Sequence, residues 1–383
     1  MLILYDVLSE SFLHLLLWLI FRQSHPNFIN VRTAYASKIW TQLTKNLLTK
    51  SSTKRFREYI RGEGKGGKRL NAKQLGRRLL QIVIVLIGIS FCTFILTYLA
   101  PGDPVRTRYA VSGMIPSEKE LNEEREKLGL NDPILVQYGR WFSKVLHGDF
   151  GTSYSNGKPV AELLSERLLP TLKLAFAALL LMLLFAIPLG MLSAVYKNSW
   201  IDYLVRGITF LGVSIPNFWV GLILLYVVAL KFSLLPVIST GEGFEKIILP
   251  AVTLAFAMMG KYTRQVRTAV LEELNQDYVT GARARGMTEK EVLWKQVFPN
   301  ALLPLITLLG LSLGNLLGGT AVVEVIFTYP GLGNLAVQAI SSYDYSLIQG
   351  CVLWVALIYM VINLLVDLSY TFVDPRIRRS EKG

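Results

Sequence analysis

The chain has 383 residues, a mean hydropathy of +0.42 and a formal net charge of +13 at neutral pH. Hydrophobic residues make up 52% of it, which is above the usual apolar share of soluble domains. The composition therefore excludes an ordinary soluble globular protein.

Several apolar runs are long enough to cross a bilayer, which takes about 20 residues with few charges. They are 79–99, 171–196, 204–230, 247–268, 301–326 and 347–372. Because lipid offers no hydrogen-bond partner to the backbone, each run is predicted to be a helix. The predicted fold is an all-α polytopic membrane protein with six transmembrane helices.

Basic residues are concentrated before the first apolar run. Residues 1–78 contain fifteen Lys or Arg and only four acidic residues. Because basic flanks stay cytoplasmic, we expect the N-terminus inside, and six crossings return the basic tail 373–383 to the same side. The topology makes 100–169 an extracytoplasmic segment, and it puts 277–298 on the cytoplasmic side of a core that spans 170–372.

The basic N-terminal extension carries two features of its own. The apolar stretch 12–21 is too short to span and is predicted to be a membrane-surface helix, with a misassigned translation start as the alternative. Residues 22–78 are interpreted as a cytoplasmic arm resting on anionic lipid rather than as a nucleic-acid module. The stretch 62–69 is not a phosphate-binding loop, because Arg69 stands where a magnesium-binding Ser or Thr is needed.

The outer segment is predicted to fold. Ser117 and Glu120 have the spacing of a capping box, Gly129 is a helix stop, and Pro133 is predicted at the first position of a second helix. One face of that helix is apolar, with Ile134, Tyr138, Trp141, Phe142 and Val145. This face is expected to lie on the membrane or pack on the spans, or alternatively to meet an external partner.

The centres of the apolar runs lack the acidic or His residues that ion-driven carriers usually hold there. Ion-gradient coupling by this chain alone is therefore disfavoured, and no catalytic pair, metal-ligand spacing or disulfide pattern is present. Gly310, Gly314 and Gly318 leave one face of the fifth run without side chains, which permits close helix packing. The packing partner is either this chain or a second subunit. Pro188, Pro216 and Pro250 mark kinks or span ends.

A polar, charged segment, 277–298, lies between the fourth and fifth apolar runs. Asp277 is predicted to be the N-cap of a helix over 278–285, and Gly286 fits the left-handed position that ends helices. Thr288 and Glu291 have capping-box spacing and begin a second helix. Its apolar face consists of Val292, Leu293, Val297 and Phe298, and Pro299 is expected to close it before the fifth span. We interpret these two short helices with a fixed bend as a docking element, called here the docking segment.

The docking segment resembles the EAA loop of ABC importer permeases. Further stretches are similar to signatures of the dipeptide/oligopeptide/nickel permeases. They are APGDPV (100–105), LGLNDP (128–133), GDFGTSY (148–154), SIPNFW (214–219), ILPAVTL (248–254), FTYPGLGNLAVQAISSYDYSLIQG (327–350) and VDPRIR (373–378). The resemblance covers about 75–378 and implies the type I ABC importer transmembrane fold, as the first permease of a heterodimeric pair.

In that family the loop inserts into a groove of the cytoplasmic ATPase. The resemblance implies a coupling role for Asp277, Thr280, Gly281, Ala282, Arg283, Gly286, Thr288, Glu291 and Pro299. Arg283 is expected to pair with an acid on the ATPase. At the positions of the Glu-Ala-Ala motif that gives the EAA loop its name, this chain has Thr280, Gly281 and Ala282. Gly281 lowers helix stability by roughly 1 kcal/mol relative to Ala, so the first coupling helix is expected to be more mobile than in relatives.

The resemblance implies a binding-protein-dependent importer of oligopeptides or dipeptides in the bacterial cytoplasmic membrane. The implied partners are a second homologous permease, two cytoplasmic P-loop ATPases, an extracytoplasmic substrate-binding protein and membrane lipid, without nucleic acid. ATP and magnesium would be used by the ATPases, and no cofactor is expected on this chain. The alternative cargo is nickel or a metal chelate. A stand-alone channel or ion-coupled carrier, able to transport without ATP, is the alternative of another class.

Overall fold

A computed structural model describes residues 72–373 apart from 101–102, 104, 107–108, 110–114, 128 and 242. Within it, the side chains of 72–75, 303–304, 307–308, 310–315, 317–319 and 366–373 are not described. The predictions for the N-terminal extension and for the end of the tail lie outside these residues. The described chain is mostly helical, without strands, and has one isolated bridge between Thr152 and Pro159. The described residues divide into two compact units, 72–162 with 338–373 and 163–337.

The first unit contains two long apolar helices and two shorter ones. They are α1 (Ala72–Leu99), α2 (Glu118–Lys127), α3 (Ile134–Leu146) and, later in the chain, α12 (Tyr345–Val373). Helix α1 packs against α12 and α3. The capping box of Ser117 and Glu120 is confirmed, because each side chain bonds the other's backbone N–H. Gly129 has a positive φ just after α2, as predicted. Pro133 is the N-cap of α3 rather than its first helical residue.

The predicted apolar face of α3 packs on α1. The Tyr138 ring lies 5.1 Å from that of Phe91 and 5.5 Å from that of Phe94, edge to face in both cases. The Tyr138 hydroxyl is also 2.8 Å from that of Ser90. Of the interpretations offered for this face, packing on a span is therefore observed.

A buried aspartate organises the end of the outer segment. The Asp344 carboxylate accepts the backbone N–H of Leu347 and so caps the start of α12. Its other oxygen accepts the Ser153 hydroxyl at 2.5 Å and the Ser155 hydroxyl at 3.0 Å. A cap that also holds a distant loop fixes the sequence GDFGTSY against the last long helix.

The second unit holds the remaining helices, apart from residues 160–162 and 338–341 at its two boundaries, which belong to the first unit. They are α4 (Val160–Val195, which starts in the first unit), α5 (Trp200–Ser214), α6 (Asn217–Leu224, continued by a π-helical stretch Leu225–Lys231), α7 (Glu245–Leu274), α8 (Asp277–Ala284), α9 (Glu289–Glu291, continued by a π-helical stretch Val292–Val297), α10 (Phe298–Ile326) and α11 (Leu332–Ser341). Helix α7 is central, since it packs against α5, α6 and α10.

The apolar run predicted at 204–230 is not one straight helix. Helices α5 and α6 meet at an angle of 99°. The bend lies at Ile215, which is extended with φ −93° and ψ 130°, as expected for a residue before proline. Pro188 and Pro250 lie inside α4 and α7, which continue past them.

Length and composition mark three described helical stretches as able to span a membrane: Gly76–Leu99, Val160–Val195 and Tyr345–Leu365. The bent pair α5 and α6 would make a fourth if it counts as one span. Helix α7 is less apolar, because Lys261, Arg264 and Arg267 follow its first half. The count of six spans stays a prediction.

Candidate functional site

The docking segment bends at Gly286, as predicted. Helix α8 ends with two hydrogen bonds of the Schellman type: Gly286 N–H donates to the Arg283 carbonyl at 2.9 Å, and Met287 N–H donates to the Ala282 carbonyl at 3.3 Å. Gly286 has a φ of +82°. The last carbonyls of α8 are thereby satisfied, and the direction of the chain after it is fixed.

The second helix of the segment starts at the predicted capping box. The Thr288 hydroxyl accepts from Glu291 N–H, and the Glu291 carboxylate accepts from Thr288 N–H, both at 3.3 Å. Lys295 lies 2.9 Å from the same carboxylate. The ammonium of Lys295 and the N–H of Thr288 hold the pKa of Glu291 below its ordinary value. Only the two residues Met287 and Thr288 separate the bend from α9.

An ion pair crosses the bend. Arg283 Nε donates to Glu289 Oε1 at 2.7 Å, and Arg283 Nη2 donates to Glu289 Oε2 at 3.0 Å. This bidentate arrangement suits the planar guanidinium, and its hydrogen bonds lower the pKa of Glu289. Arg283 therefore already has an acidic partner within its own chain.

The inner face of the docking segment is seated on the core of the second unit. Val279, Ala282, Val292 and Val297 are completely buried. They belong to one apolar cluster with Met191, Ala194, Val266, Ala269, Val270, Ala301 and Leu305, which come from α4, α7 and α10. Removing these side chains from water stabilises the position of the segment.

The outer face of the segment carries exposed polar and aromatic groups. Trp294 is 51% exposed, and its ring packs edge to face on Phe298 at 5.4 Å. Tyr278 is also exposed and bonds Glu273. Among the residues described, Arg285 and Lys290 are exposed cations without an ion pair. This face therefore offers aromatic contact and free positive charge.

Two sequence predictions within the segment are wrong in detail. The N-cap of α8 is Gln276, whose backbone is extended, and Asp277 is the first helical residue. Asp277 still places a carboxylate at the positive end of the helix. Pro299 does not close the second helix, because helical structure continues from Glu289 to Ile326 with Pro299 in the first turn of α10. Proline is tolerated there since the N–H of a first-turn residue needs no helical partner.

The remaining predicted residues are positioned as follows. Thr280 is exposed and Gly281 is half-buried. A Cβ built on Gly281 would meet only an Arg285 guanidinium nitrogen, at 3.9 Å. Gly310, Gly314 and Gly318 lie in α10, but their surroundings fall outside the described side chains.

A buried ion pair beside the segment was not predicted. The Asp202 carboxylate is fully buried and accepts Arg267 Nε and Nη2, both at 2.8 Å. It also accepts the Ser193 hydroxyl at 2.6 Å and the Asn198 N–H at 3.0 Å. The pair joins α4, α5 and α7 next to the apolar cluster. The available sequence signal was the position of Arg267 on the apolar side of α7, where a charged residue needs a partner.

A second buried carboxylate, Glu324, lies at the far end of α10. It accepts the Thr171 hydroxyl and the Asn334 N–H, each at 2.9 Å, so it caps the start of α11. A Cβ on Gly331 would lie 2.2 Å from Glu324 Oε1. The glycines of the sequence PGLGN thus let the chain wrap closely around this carboxylate.

Comparison with known proteins agrees with this architecture. The sequence model described as "Binding-protein-dependent transport system inner membrane component" matches residues 186–379, and that of the N-terminal part of such components matches 72–175. The probable D,D-dipeptide transport system permease protein DdpB of Escherichia coli (strain K12) is 40% identical over 333 residues, covering 80% of this chain and 97% of that protein.

Two further relatives match a similar part of the chain. The oligopeptide transport system permease protein AppB of Bacillus subtilis (strain 168) is 41% identical over 313 residues, covering 79% of this chain and 98% of AppB. The nickel import system permease protein NikB of Staphylococcus aureus (strain USA300) is 38% identical over 306 residues, covering 80% and 92%. The chain therefore belongs to the binding-protein-dependent transport system inner membrane components, as a multi-pass permease of the dipeptide/oligopeptide/nickel group of ABC importers and not an enzyme.

Proposed function

We propose that this chain is the first of two homologous permease subunits of a peptide importer in the bacterial cytoplasmic membrane. It would form half of the translocation pathway, with six spans and both termini in the cytoplasm. Two P-loop ATPases would bind on the cytoplasmic side, and a substrate-binding protein would deliver oligopeptides or dipeptides from outside. The names of DdpB and AppB support the peptide cargo.

The observation that carries the coupling proposal is the construction of the docking segment. Its two helices are joined by a fully hydrogen-bonded bend and sit on a buried apolar cluster. A segment held this firmly on one face and open on the other is suited to transmit force from a partner. ATP-driven closure of the ATPases would push on 277–298 and shift the two-state equilibrium of the spans.

The contacts revise the role proposed for Arg283. Because its guanidinium is engaged by Glu289, we assign it to holding the bend. Arg285 and Lys290, which have no ion pair in the described chain, are better suited to meet acids on the ATPase. Trp294 supplies the aromatic anchor that protein interfaces favour.

A photo-crosslinking amino acid at Trp294 tests the docking proposal. The matched control is Phe210, another exposed aromatic, at 65%, in the middle of α5. We expect the Trp294 probe to capture a P-loop ATPase in native membranes and the Phe210 probe to capture none. If the chain purifies alone or as a homo-oligomer, and neither probe yields an ATPase, the docking proposal fails.

The cargo requires a separate experiment, since NikB is nearly as similar as DdpB. Uptake of labelled peptides and of labelled nickel is compared in cells that contain the whole importer. Peptide uptake that depends on this chain supports the proposal, and nickel uptake alone assigns the alternative cargo. Transport by this chain alone in liposomes without ATP would instead identify a stand-alone carrier.

A further inference from the structure

The first unit contains a cavity of about 500 Å³. Its walls come from the end of α1, from α3, from the loop 149–154 and from the start of α12. The aromatic side chains of the lining are Phe94, Tyr98, Trp141, Phe150, Tyr154 and Tyr345. A cavity of this volume accommodates a small ligand or a lipid headgroup.

Two polar atoms of the lining lack a hydrogen bond. They are the indole N–H of Trp141 and the hydroxyl of Tyr345, both shielded from solvent and without a partner in the described chain. Buried polar groups are nearly always paired. Both residues also line the cavity, so a ligand there is the available acceptor for their donors.

Lys144 adds a cation to this pair of donors. It follows Trp141 by three residues on α3 and so lies on the same side of that helix. Within the described residues its ammonium has no ion pair. Indole N–H, phenol O–H and ammonium are all donors, and a ligand that satisfies them together must present acceptor oxygens.

Two acidic groups also line the cavity. Asp103 forms an ion pair with Arg125 and accepts the Val105 N–H. Asp149 accepts the Gly151 N–H at 2.8 Å. Asp149 has no cation partner among the described residues, so its charge is not cancelled. The lining nevertheless holds three cations, Arg125, Arg140 and Lys144, against the two carboxylates. Its net charge is therefore positive, which favours an anion over a cation.

The position of the cavity relative to the apolar helices indicates which kind of molecule carries that anion. It lies where α1 ends and α12 begins, and both are apolar enough to cross a bilayer. Trp and Tyr concentrate at this level of a membrane, beside the headgroups. Helix α3 also leaves Leu135, Val136 and Leu146 exposed, as expected of a helix lying in the interface.

We propose that this cavity binds the phosphate-bearing headgroup of an anionic phospholipid, with Trp141, Tyr345 and Lys144 donating to its oxygens. The lipid occupies a groove between the first and last long helices and the interfacial helix α3. It holds α3 and the loop 149–154 in place, outside the docking segment. This role is independent of the cargo and of ATPase binding.

Native mass spectrometry tests the proposal on the full chain with its co-purifying subunits. The protein is delipidated in detergent and then supplied with phosphatidylglycerol, phosphatidylcholine or glycerol 3-phosphate. We expect one phosphatidylglycerol to be retained in preference to the other two. The variant Trp141→Phe/Tyr345→Phe/Lys144→Gln should bind it more than tenfold more weakly, since each of the three changes removes a donor to a charged acceptor.

The matched control is Trp219→Phe/Tyr203→Phe/Lys231→Gln, which makes the same changes at exposed positions outside the cavity. It should retain phosphatidylglycerol like the unaltered chain. Equal retention of phosphatidylcholine, or equal loss in the control, overturns the proposal. If glycerol 3-phosphate binds as well as the lipid, the site takes a free phosphate ester. If an added tripeptide displaces the lipid, the cavity belongs to the transport path instead.

Discussion

Arg283 and Glu289 form two hydrogen bonds, of 2.7 and 3.0 Å, across the turn that separates the two helices of the docking segment. Both side chains are largely exposed, and exposed ion pairs contribute little to global stability. The geometry of a bidentate pair is nevertheless specific. The pair therefore adds a directional contact across the bend that the hydrogen bonds of Gly286 and Met287 already set, and it adds little to the stability of the chain.

Because of this ion pair, we expect the bend between α8 and α9 to become less stable at acidic pH. Arg283 lowers the pKa of Glu289 below its ordinary value of 4.5. The ion pair therefore stabilises the bend at neutral pH, and this stabilisation decreases below the ordinary value and is lost as pH falls through the lowered pKa. Hydrogen exchange of 285–291, corrected for intrinsic rates, should accelerate only below the ordinary value. Because the pKa of Glu291, whose carboxylate accepts the Thr288 N–H, is also lowered, Glu289→Gln should reduce this acid step rather than abolish it. Glu272→Gln should leave the step unchanged. A step of full size in Glu289→Gln would refute the role of the ion pair.

Gly286 is expected to be essential because of its backbone conformation, not because a side chain would lack room. No atom lies within 4 Å of a Cβ built there, but φ is +82°, a region that costs an ordinary L-residue about 1–2 kcal/mol and a β-branched residue more. Gly286→Val should abolish ATP-driven uptake while the complex still co-purifies. Gly286→Asn, which tolerates the left-handed region, should retain uptake. Wild-type uptake by the Val variant would refute the coupling role.

Gly281 is expected to loosen α8. Gly281→Ala should stabilise this helix by about 1 kcal/mol, because only the Arg285 guanidinium approaches the new methyl group. Slower hydrogen exchange over 277–284 is the measurement. Thr280→Ala, an exposed neighbour without the glycine effect, is the control and should produce a smaller change. Unaltered exchange in Gly281→Ala means that tertiary packing already sets the order of α8.

Asp202 and Arg267 are expected to be strongly coupled. Removing one partner of a buried ion pair leaves an uncompensated charge, so Arg267→Gln should lower the free energy of unfolding by about 3–5 kcal/mol. The double variant Asp202→Asn/Arg267→Gln should lose less than the sum of the single changes. Unfolding in detergent measures this, with the exposed Arg264→Gln as control. Additive losses would show that the two groups act independently.

Gly333 is expected to tolerate no side chain. A Cβ there would lie 2.5 Å from the Cα of Ala321, and backbone cannot yield as a flexible side chain does. Gly333→Ala should cost about 1–3 kcal/mol through overpacking. Gly207→Ala, where nothing lies within 4 Å, should be neutral or stabilising. Similar thermal stability of both variants would contradict the close approach of the chain to α10.

Local features of the docking segment could be predicted from sequence because their causes are local. Gly286, Thr288 and Glu291 act on backbone groups within four residues, so spacing alone reveals them. The shift of the N-cap from Asp277 to Gln276 is an ordinary boundary error. The error at Pro299 has a different cause: proline ends a helix that precedes it, yet is accepted in the first turn of one that follows.

Contacts between distant residues could not be predicted in this way. Asp202 and Arg267 are 65 residues apart, and Thr171 and Glu324 are 153 apart. The sequence around either residue gives no indication of which distant residue it contacts. Arg283 illustrates the same limit, because an arginine on an exposed face was assigned to an external acid although Glu289 lies on the next helix.

The unbroken helical path from Glu289 to Ile326 gives the protein a long lever. At 1.5 Å per residue it extends roughly 55 Å, with Trp294 near one end and Glu324 near the other. A partner that rotates the helix at Trp294 would therefore also rotate Glu324, whose carboxylate caps the start of α11. The π-helical stretch Val292–Val297 is the one described place along this helical path where helical winding is already relaxed. Trp294 lies within this stretch, so a partner that contacts Trp294 would act where the winding can change.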